Sequence, residues 1–281
     1  MSPSPLQPAM SLANMLDGVI VKANDEPENI QTLCESERRE RYERYRAEFL
    51  STDFQGLVYD DILRNILKSP GYRDPRHNLC VFARPTVDLM NTIRTIQQDL
   101  QQIAPGIWLT PSLDLHMTVL EIVHSETREV VDACLEQLQP RSMDVVHFAR
   151  HHPIQLVRPQ LSFDRSAVAM TFVPAADRLY TYLHLRRDLA ELLEETGIQV
   201  ASRYTTTSSH LTLARHIEGD DLVALATRKA WVSAIEAMNE RLAQDGLCCY
   251  EWNIGLDSQL IIQKGNLWYG GGECVADGNE V

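Results

Sequence analysis

Apolar residues along the chain follow strand and helix spacing in a regular order. After residue 77 the pattern predicts a strand at residues 78–85, a helix at 87–103, a strand at 115–123 and a helix at 127–138. Two further strands are predicted at 154–163 and 167–173, and the three polar residues between them are typical of a hairpin turn. Helices mixed with paired strands predict an α+β fold.

A similar order of elements then occurs a second time. After residue 176 the pattern predicts two more helices, at 177–196 and 220–244. It also predicts strands at 204–217, 250–256, 259–264 and 267–269. Helix, strand, helix and strands thus occur twice, without close sequence identity. We therefore expect two pseudo-symmetric lobes, each an antiparallel sheet with flanking helices, around a central cleft.

The first 77 residues have a different character. Residues 1–11 are rich in Ser and Pro and predict disorder, whereas residues 35–49 (ESERRERYERYRAEF) predict an exposed helix with charges of both signs. A second helix is predicted at 57–67, and the Pro and Gly residues of 69–77 end it. We expect residues 1–77 to form a helical extension without catalytic residues, suited to docking a protein partner, and residues 78–281 to form the bilobal domain.

Charge and composition narrow the partners. The chain has 281 residues, 44% of them apolar, and a net charge of −13, of which −10 falls after residue 77. A protein that binds long nucleic acid needs a surplus of cations, so this partner is disfavoured, although a local pocket can still hold one small anion. The N-terminus lacks signal-peptide features, and no apolar run approaches the roughly 18 residues of a membrane span.

The cysteines give an expectation about the compartment. The six cysteines include no C-x-x-C pair, which favours reduced thiols. Reduced thiols and the absence of targeting features predict a soluble protein of the cytoplasm or nucleus, without a membrane partner.

The residues that carry chemistry form a motif of His, any residue, Thr and an apolar residue, which occurs twice. The first copy is His116-Met117-Thr118-Val119 and the second is His210-Leu211-Thr212-Leu213. Because alternate residues of a strand share a face, each strand can bury its two apolar residues and present an imidazole and a hydroxyl on the other side. Pairing of the lobes would bring two histidines and two threonines into one concave site.

The sequence around the first motif resembles a known family. Residues 81–122 (VFARPTVDLMNTIRTIQQDLQQIAPGIWLTPSLDLHMTVLEI) resemble the first lobe of the two-histidine (2H) phosphoesterases, the LigT-like cyclic phosphodiesterases. The resemblance lies in a short strand ending at Pro85, a long helix, and then Trp108 and Pro111 ahead of the motif. The second motif resembles the family's second copy and follows the first by 94 residues in this chain, and the resemblance covers about residues 78–270.

The resemblance implies an activity and roles for the motif residues. The family opens cyclic phosphodiesters, typically a 2′,3′-cyclic phosphate on a nucleotide or short RNA end, without a metal or another cofactor. It implies that His116 and His210 form the acid/base pair, since imidazole titrates near neutrality. Thr118 and Thr212 would bind the phosphate through their hydroxyl groups. Which histidine is the base and which is the acid stays open.

Four aromatic residues could provide a platform on which a base stacks, Trp108, Tyr204, Trp268 and Tyr269. The Gly-rich run at residues 270–272 predicts a flexible end rather than a phosphate-binding loop, because no helix pattern follows it. The spacing of the remaining histidines and cysteines does not match a zinc site, so no metal is expected.

Strand alternation also sorts the charged neighbours of the second motif. It places Arg203 and Arg215 on the face opposite His210, which excludes both from the expected site. By the same alternation, His216 shares the face of His210 and Thr212 and could approach the cleft.

Two other classes of function fit the same residues. The protein could be a scaffold or sensor that binds a nucleotide in this cleft without turning it over. The histidine pair could also serve a 3′–5′ RNA exonuclease, a 2′–5′ phosphodiesterase or an enzyme that tailors a metabolite.

Overall fold

The computed structural model describes residues 11–200, 207–244 and 251–279. The helices are α1 (Leu12–Lys22), α2 (Pro27–Leu50), α3 (Asp61–Lys68), α4 (Val87–Ile103), α5 (Arg128–Leu138), α6 (Ser142–His151), α7 (Tyr182–Glu194) and α8 (Leu225–Gln244). The strands are β1 (His77–Ala83), β2 (Ile107–Leu109), β3 (Met117–Glu126), β4 (Ile154–Phe163), β5 (Ala167–Pro174), β6 (His210–His216), β7 (Trp252–Ile254), β8 (Leu260–Asn266) and β9 (Gly271–Asp277). The predicted α+β class is confirmed.

Helix starts follow the capping side chains. The predicted helix at 87–103 is α4, and the Thr86 hydroxyl accepts a hydrogen bond from the Leu89 N–H at its start. Helix α7 begins at Tyr182 rather than at residue 177, because Thr181 and His184 form a capping box there. Helix α8 begins at Leu225, five residues later than predicted.

Several elements differ from the predictions. Helices α1 and α6 were not predicted; α6 follows α5 through a short turn around Pro140, so the proline ends one helix without ending the helical region. Residues 267–269 form a 3₁₀ turn instead of a strand. The predicted flexible end is also wrong, since Gly270 adopts a positive φ of 87° and turns the chain into strand β9, which pairs with β8.

The strands form one curled antiparallel sheet. Its order is β7-β4-β5-β6-β3-β1-β8-β9, and the short strand β2 pairs with β6 beside β3. Strands β6 and β3 meet at the middle of this order through the pair Met117–Leu211. Apart from β2, four strands therefore lie on each side of the junction between the two motif strands.

The main core lies between the sheet and the helices and includes the N-terminal helices. Leu16 of α1 and Ile30 and Phe49 of α2 are fully buried in the same hydrophobic cluster as the strands. The Phe49 ring contacts that of Phe163 edge to face at 4.9 Å. In β1, Leu79, Val81 and Ala83 join the main core, whereas Cys80 and Phe82 form a second small cluster with Leu267 on the other face. That other face carries the candidate site.

Candidate functional site

The two motifs lie side by side at the middle of the sheet. Met117, Val119, Leu211 and Leu213 are completely buried, whereas the histidine and threonine of each motif keep partial exposure. Extending the antiparallel register from the Met117–Leu211 pair by one residue each way places each histidine opposite the other motif's threonine. One cleft is lined by the four motif residues together with four neighbours, Thr110, Asp114, Arg215 and Trp268. We call this the motif cleft.

His116 is fixed by its backbone surroundings. It lies immediately before β3, after a 3₁₀ turn over Ser112–Asp114, and its Nδ1 lies 2.7 Å from the Asp114 carbonyl oxygen. Because a carbonyl only accepts hydrogen bonds, Nδ1 carries a proton and the neutral ring keeps its lone pair on Nε2. The ring also stacks on Phe82 at 4.0 Å between centroids, so packing sets its plane.

His210 has a different partner. Its Nδ1 lies 2.8 Å from the Ser208 hydroxyl oxygen, two residues earlier in the chain. A hydroxyl can donate to a neutral ring or accept from a protonated one, so this contact accommodates both protonation states. Ser209, between the two, donates its hydroxyl to the Phe172 carbonyl at 2.6 Å and is buried. The start of β6 is thereby held against β5.

Burial and nearby cations favour the neutral form of both histidines. Burial lowers the pKa of His116 to about 4, and Arg84, His210 and Arg215 contribute in the same direction. Burial likewise lowers the pKa of His210 to about 4, with Arg41, Arg215 and Arg186 adding to the effect. A chain with a net charge of −13 thus surrounds these two imidazoles with arginines. Such local positive potential suits a small anionic ligand.

Arg215 is part of the motif cleft, so its predicted position opposite His210 is wrong. In the pairing of β5 with β6, Val168 lies opposite Ala214 and Ala169 opposite Thr212, which leaves Leu213 as an extra residue on β6. This β-bulge makes Leu213 and Ala214 both fully buried and reverses the alternation after them. The arginine therefore lies on the same side as His210.

The same bulge overturns the prediction for His216. Its side chain is buried and lies against Trp231 of α8 at 5.8 Å between ring centroids, away from the cleft. Its Nε2 has no hydrogen-bond partner within the described part of the chain. Burial lowers the pKa of His216 to about 4, so this imidazole is an uncharged core side chain. Arg203, the other excluded arginine, lies outside the described residues.

Arg215 is held in place by Asp60 of the N-terminal extension and by Tyr269 of the 3₁₀ turn at residues 267–269. Its guanidinium lies 3.6 Å from the Asp60 carboxylate and 5.7 Å from the centre of the Tyr269 ring. The Tyr269 hydroxyl donates to the same carboxylate, and the Tyr269 ring meets Trp108 edge to face at 6.3 Å. Trp108 in turn pairs with Arg215 across β2 and β6. These contacts limit the conformations open to the arginine.

The four predicted base-stacking residues therefore have different positions. Trp268 lines the motif cleft directly. Trp108 and Tyr269 contact each other beside Arg215, where they support the arginine. Tyr204 lies outside the described residues.

Helix α2 of the N-terminal extension, which was expected to lack catalytic residues, lies close to the second motif. A small pocket beside the motif cleft is lined by Arg38 and Arg41 of α2 together with Ser208. After burial, Arg41 is the strongest influence that lowers the pKa of His210. Arg41 and Asp60 show that the extension contributes charges near the cleft. Arg41 and Asp60 are far from both motifs along the chain, so the sequence pattern does not predict that they lie near the cleft.

A cavity much larger than the motif cleft lies elsewhere in the described structure. It has a volume of about 620 Å³ and is lined by residues of α2, β4 and α8 such as Arg38, Arg158 and Asn239. It contains none of the motif residues. Size alone would favour it as a ligand site, but the convergent titratable groups lie in the motif cleft, which we regard as the stronger candidate for chemistry.

The described residues contain no group of three or more His, Cys, Asp or Glu side chains arranged to hold a metal ion. Their helices include none with the length and apolar character needed to cross a membrane. Comparison with known proteins finds no matching family model and no matching curated protein sequence.

Proposed function

We propose that this protein is a metal-independent phosphodiesterase that opens a 2′,3′-cyclic phosphate, or a related small phosphodiester, on a nucleotide or short RNA end. The observation that carries the proposal is the motif cleft itself, where two imidazoles, two motif hydroxyls and Arg215 line one small space. Two histidines supply acid and base, and the hydroxyls and guanidinium supply hydrogen bonds to phosphoryl oxygens. The resemblance to 2H phosphoesterases, including two lobes that meet at the motif strands, is part of this proposal.

Hydrolysis in this cleft requires two proton transfers on opposite sides of phosphorus. One histidine removes a proton from water as the water oxygen bonds to phosphorus. The other gives a proton to the ribose oxygen as its bond to phosphorus breaks, which leaves a phosphate monoester. Thr118, Thr212 and Arg215 would stabilise the charge that develops on the non-bridging oxygens.

The hydrogen-bond partners of the two rings favour one assignment of roles. His116 donates from Nδ1 to the Asp114 carbonyl, so its neutral form presents an Nε2 lone pair, as a general base must. The Ser208 hydroxyl can donate to neutral His210 and accept from protonated His210. This contact therefore suits a histidine that takes up a proton when an anion binds. We therefore assign His116 as the base and His210 as the acid.

The decisive experiment measures hydrolysis of 2′,3′-cyclic nucleotides in EDTA by the full chain, by His116→Ala and by His210→Ala. We expect metal-independent turnover, and a loss of about 100- to 10,000-fold in kcat/KM for each variant, the range attributed to one acid/base group. His151→Ala is a matched control, because His151 is exposed and lies far along the chain from both motifs. The product is identified as the 2′- or 3′-monophosphate by chromatography.

Other outcomes separate the alternative functions. Full activity in both histidine variants would exclude the two-histidine mechanism. Nucleotide binding without turnover would indicate a scaffold or sensor. Trimming of an RNA 3′ end, or cleavage of a linear 2′–5′ bond, with the same dependence on His116 and His210 would keep the mechanism and change the substrate.

A further inference from the structure

Thr110 is a third threonine of the motif cleft, and it belongs to neither motif. It follows β2, in which Trp108 pairs with Arg215 and Leu109 with the buried Ala214. Alternation along the strand places Thr110 on the same side as Trp108 and Arg215. Since Arg215 and Thr212 both line the cleft, the Thr110 side chain lies on the face that would meet a bound phosphate.

The hydroxyl group of Thr110 is buried and forms no hydrogen bond with the described residues. The residue is only 7% exposed, and its Oγ1 has no hydrogen-bond partner among the residues that the structure describes. Most buried hydroxyl groups in proteins are paired, because leaving one unpaired is unfavourable. The hydroxyls of other buried threonines here are paired; that of Thr181, for example, lies 2.9 Å from His184 Nδ1. An unpaired hydroxyl in a cleft of acid/base groups indicates that a bound ligand supplies its hydrogen-bond partner.

The backbone at Thr110 is fixed on both sides. Its N–H donates to the Leu213 carbonyl at 2.9 Å, at the β-bulge that brings Arg215 into the cleft. The buried Gln97 amide of α4 donates both to the Thr110 carbonyl at 2.8 Å and to the Leu213 carbonyl at 2.9 Å. The Gln97 amide thus ties Thr110 and the bulge together. A donor held in this way loses little entropy when an oxyanion binds.

We infer that Thr110 is a further phosphate ligand, whose hydroxyl donates to a non-bridging phosphoryl oxygen, and that Gln97 is the residue that positions it. This inference rests on the proposed function for its substrate, but the ligand chemistry it requires is only a phosphoryl oxyanion. The hydroxyl contributes more as negative charge develops on that oxygen during the reaction. Its loss therefore lowers kcat more than it raises KM.

The test compares Thr110→Val, which keeps the shape and removes the hydroxyl, with Thr110→Ser, which keeps the hydroxyl. On a 2′,3′-cyclic nucleotide, we expect Thr110→Val to lose about 10- to 1,000-fold in kcat, as for removal of one oxyanion donor. Thr110→Ser should stay within about 3-fold of the parent, since its hydroxyl is retained. Thr95→Val, at an exposed site on α4, serves as the control and should remain fully active.

Stability and binding measurements keep the inference separate from the proposed function. Thr110→Val should unfold at the same or a higher temperature than the parent, because it removes an unsatisfied buried hydroxyl. Where the parent turns over cyclic nucleotides and Thr110→Val is equally active, the inference is wrong and the proposed function stands.

Where the parent shows no turnover, binding of orthovanadate and inorganic phosphate is measured by calorimetry. Weaker binding by Thr110→Val than by the parent then supports the phosphate ligand without the proposed reaction. Equal binding by the two proteins, or no binding by the parent, overturns the inference.

Discussion

The two motif strands share one irregularity and differ in the residue that follows it. In β3, Val119 is an extra residue in the pairing with β1, and in β6, Leu213 is an extra residue in the pairing with β5. Each extra residue is fully buried, as is the residue after it. The next position is Glu121 in β3 and Arg215 in β6, and of these two only Arg215 lines the motif cleft. The motif places the imidazole and the hydroxyl, and the bulge adds the guanidinium.

The two histidines are also held differently. Each has its Nδ1 in contact with an oxygen two residues earlier in the chain, a backbone carbonyl for His116 and a side-chain hydroxyl for His210. A carbonyl fixes one tautomer, whereas a hydroxyl permits either. The asymmetry in partners offers a physical basis for different roles in a pair of otherwise similar motifs.

Removing the cation that β6 adds should have the largest effect. We expect Arg215→Ala to lower kcat/KM about 100-fold or more, because the guanidinium offers charge-assisted hydrogen bonds to phosphoryl oxygens. Arg215→Lys should recover only part of the activity, since an ammonium group cannot reproduce a bidentate contact. Steady-state kinetics at saturating and limiting substrate would measure both effects, with Arg64→Ala on α3 as the control. Unchanged kinetics in Arg215→Ala would show that the bulge is purely structural.

The charge of Arg215 should also appear in the pH profile. Burial and Arg215 both lower the pKa values of His116 and His210 to about 4, so kcat/KM should reach its maximum below the ordinary histidine value of about 6.5. In Arg215→Gln, one repulsive charge is gone, both pKa values rise, and the residual activity should have its optimum at higher pH. A profile of identical shape in the two proteins would contradict this coupling.

Ser208 tests the asymmetry between the two rings. We expect Ser208→Ala to lower kcat about 10-fold through loss of one hydrogen bond that orients His210. The effect should grow where His210 must be protonated, so the basic limb of the pH profile should move to lower pH while the acidic limb stays in place. Measurement of both limbs, with Ser125→Ala as an exposed control, separates this from a general loss of structure. Movement of the acidic limb alone would reverse the assigned roles.

The bulge places His216 in the core. Replacing this histidine should have the smallest effect, which is on the pH dependence of the free energy of unfolding. Its pKa of about 4 in the folded protein lies below the value of about 6.5 expected after unfolding. Between these values the unfolded chain binds the additional proton, so the free energy of unfolding falls as the pH is lowered from about 6.5 to about 4. In His216→Leu that fall should be less steep by at most about 1.4 kcal/mol per pH unit.

Urea unfolding at several pH values would measure the His216 effect, with His151→Ala for comparison. We expect the parent and His151→Ala to share one slope and His216→Leu to show a shallower one. A slope in His216→Leu as steep as that of the parent would mean that the buried imidazole does not titrate on unfolding.

Much of the element order could be predicted from apolar spacing, with exceptions of identifiable cause. Helix α4 has the predicted bounds, since a threonine cap and regular spacing mark its ends. The sequence pattern does not predict helix α6, because a proline usually ends a helical region, whereas Pro140 only separates two helices. Strand β9 was not predicted because the glycines at its start give no apolar signal, although its pairing with β8 is a local hairpin.

The chemistry available to the candidate site and the local faces of the motifs follow from the sequence. Two His-x-Thr motifs in alternating strands place their apolar residues on one face and the histidine and threonine on the other, because alternation is a local property of an extended chain. Tertiary structure alone decided that Arg215 enters the cleft, that His216 leaves it and that Thr110 joins it. Those outcomes depend on a bulge between paired strands and on hydrogen bonds from the Gln97 amide of α4. Contacts between segments that lie far apart in the chain cannot be predicted from the spacing of apolar residues.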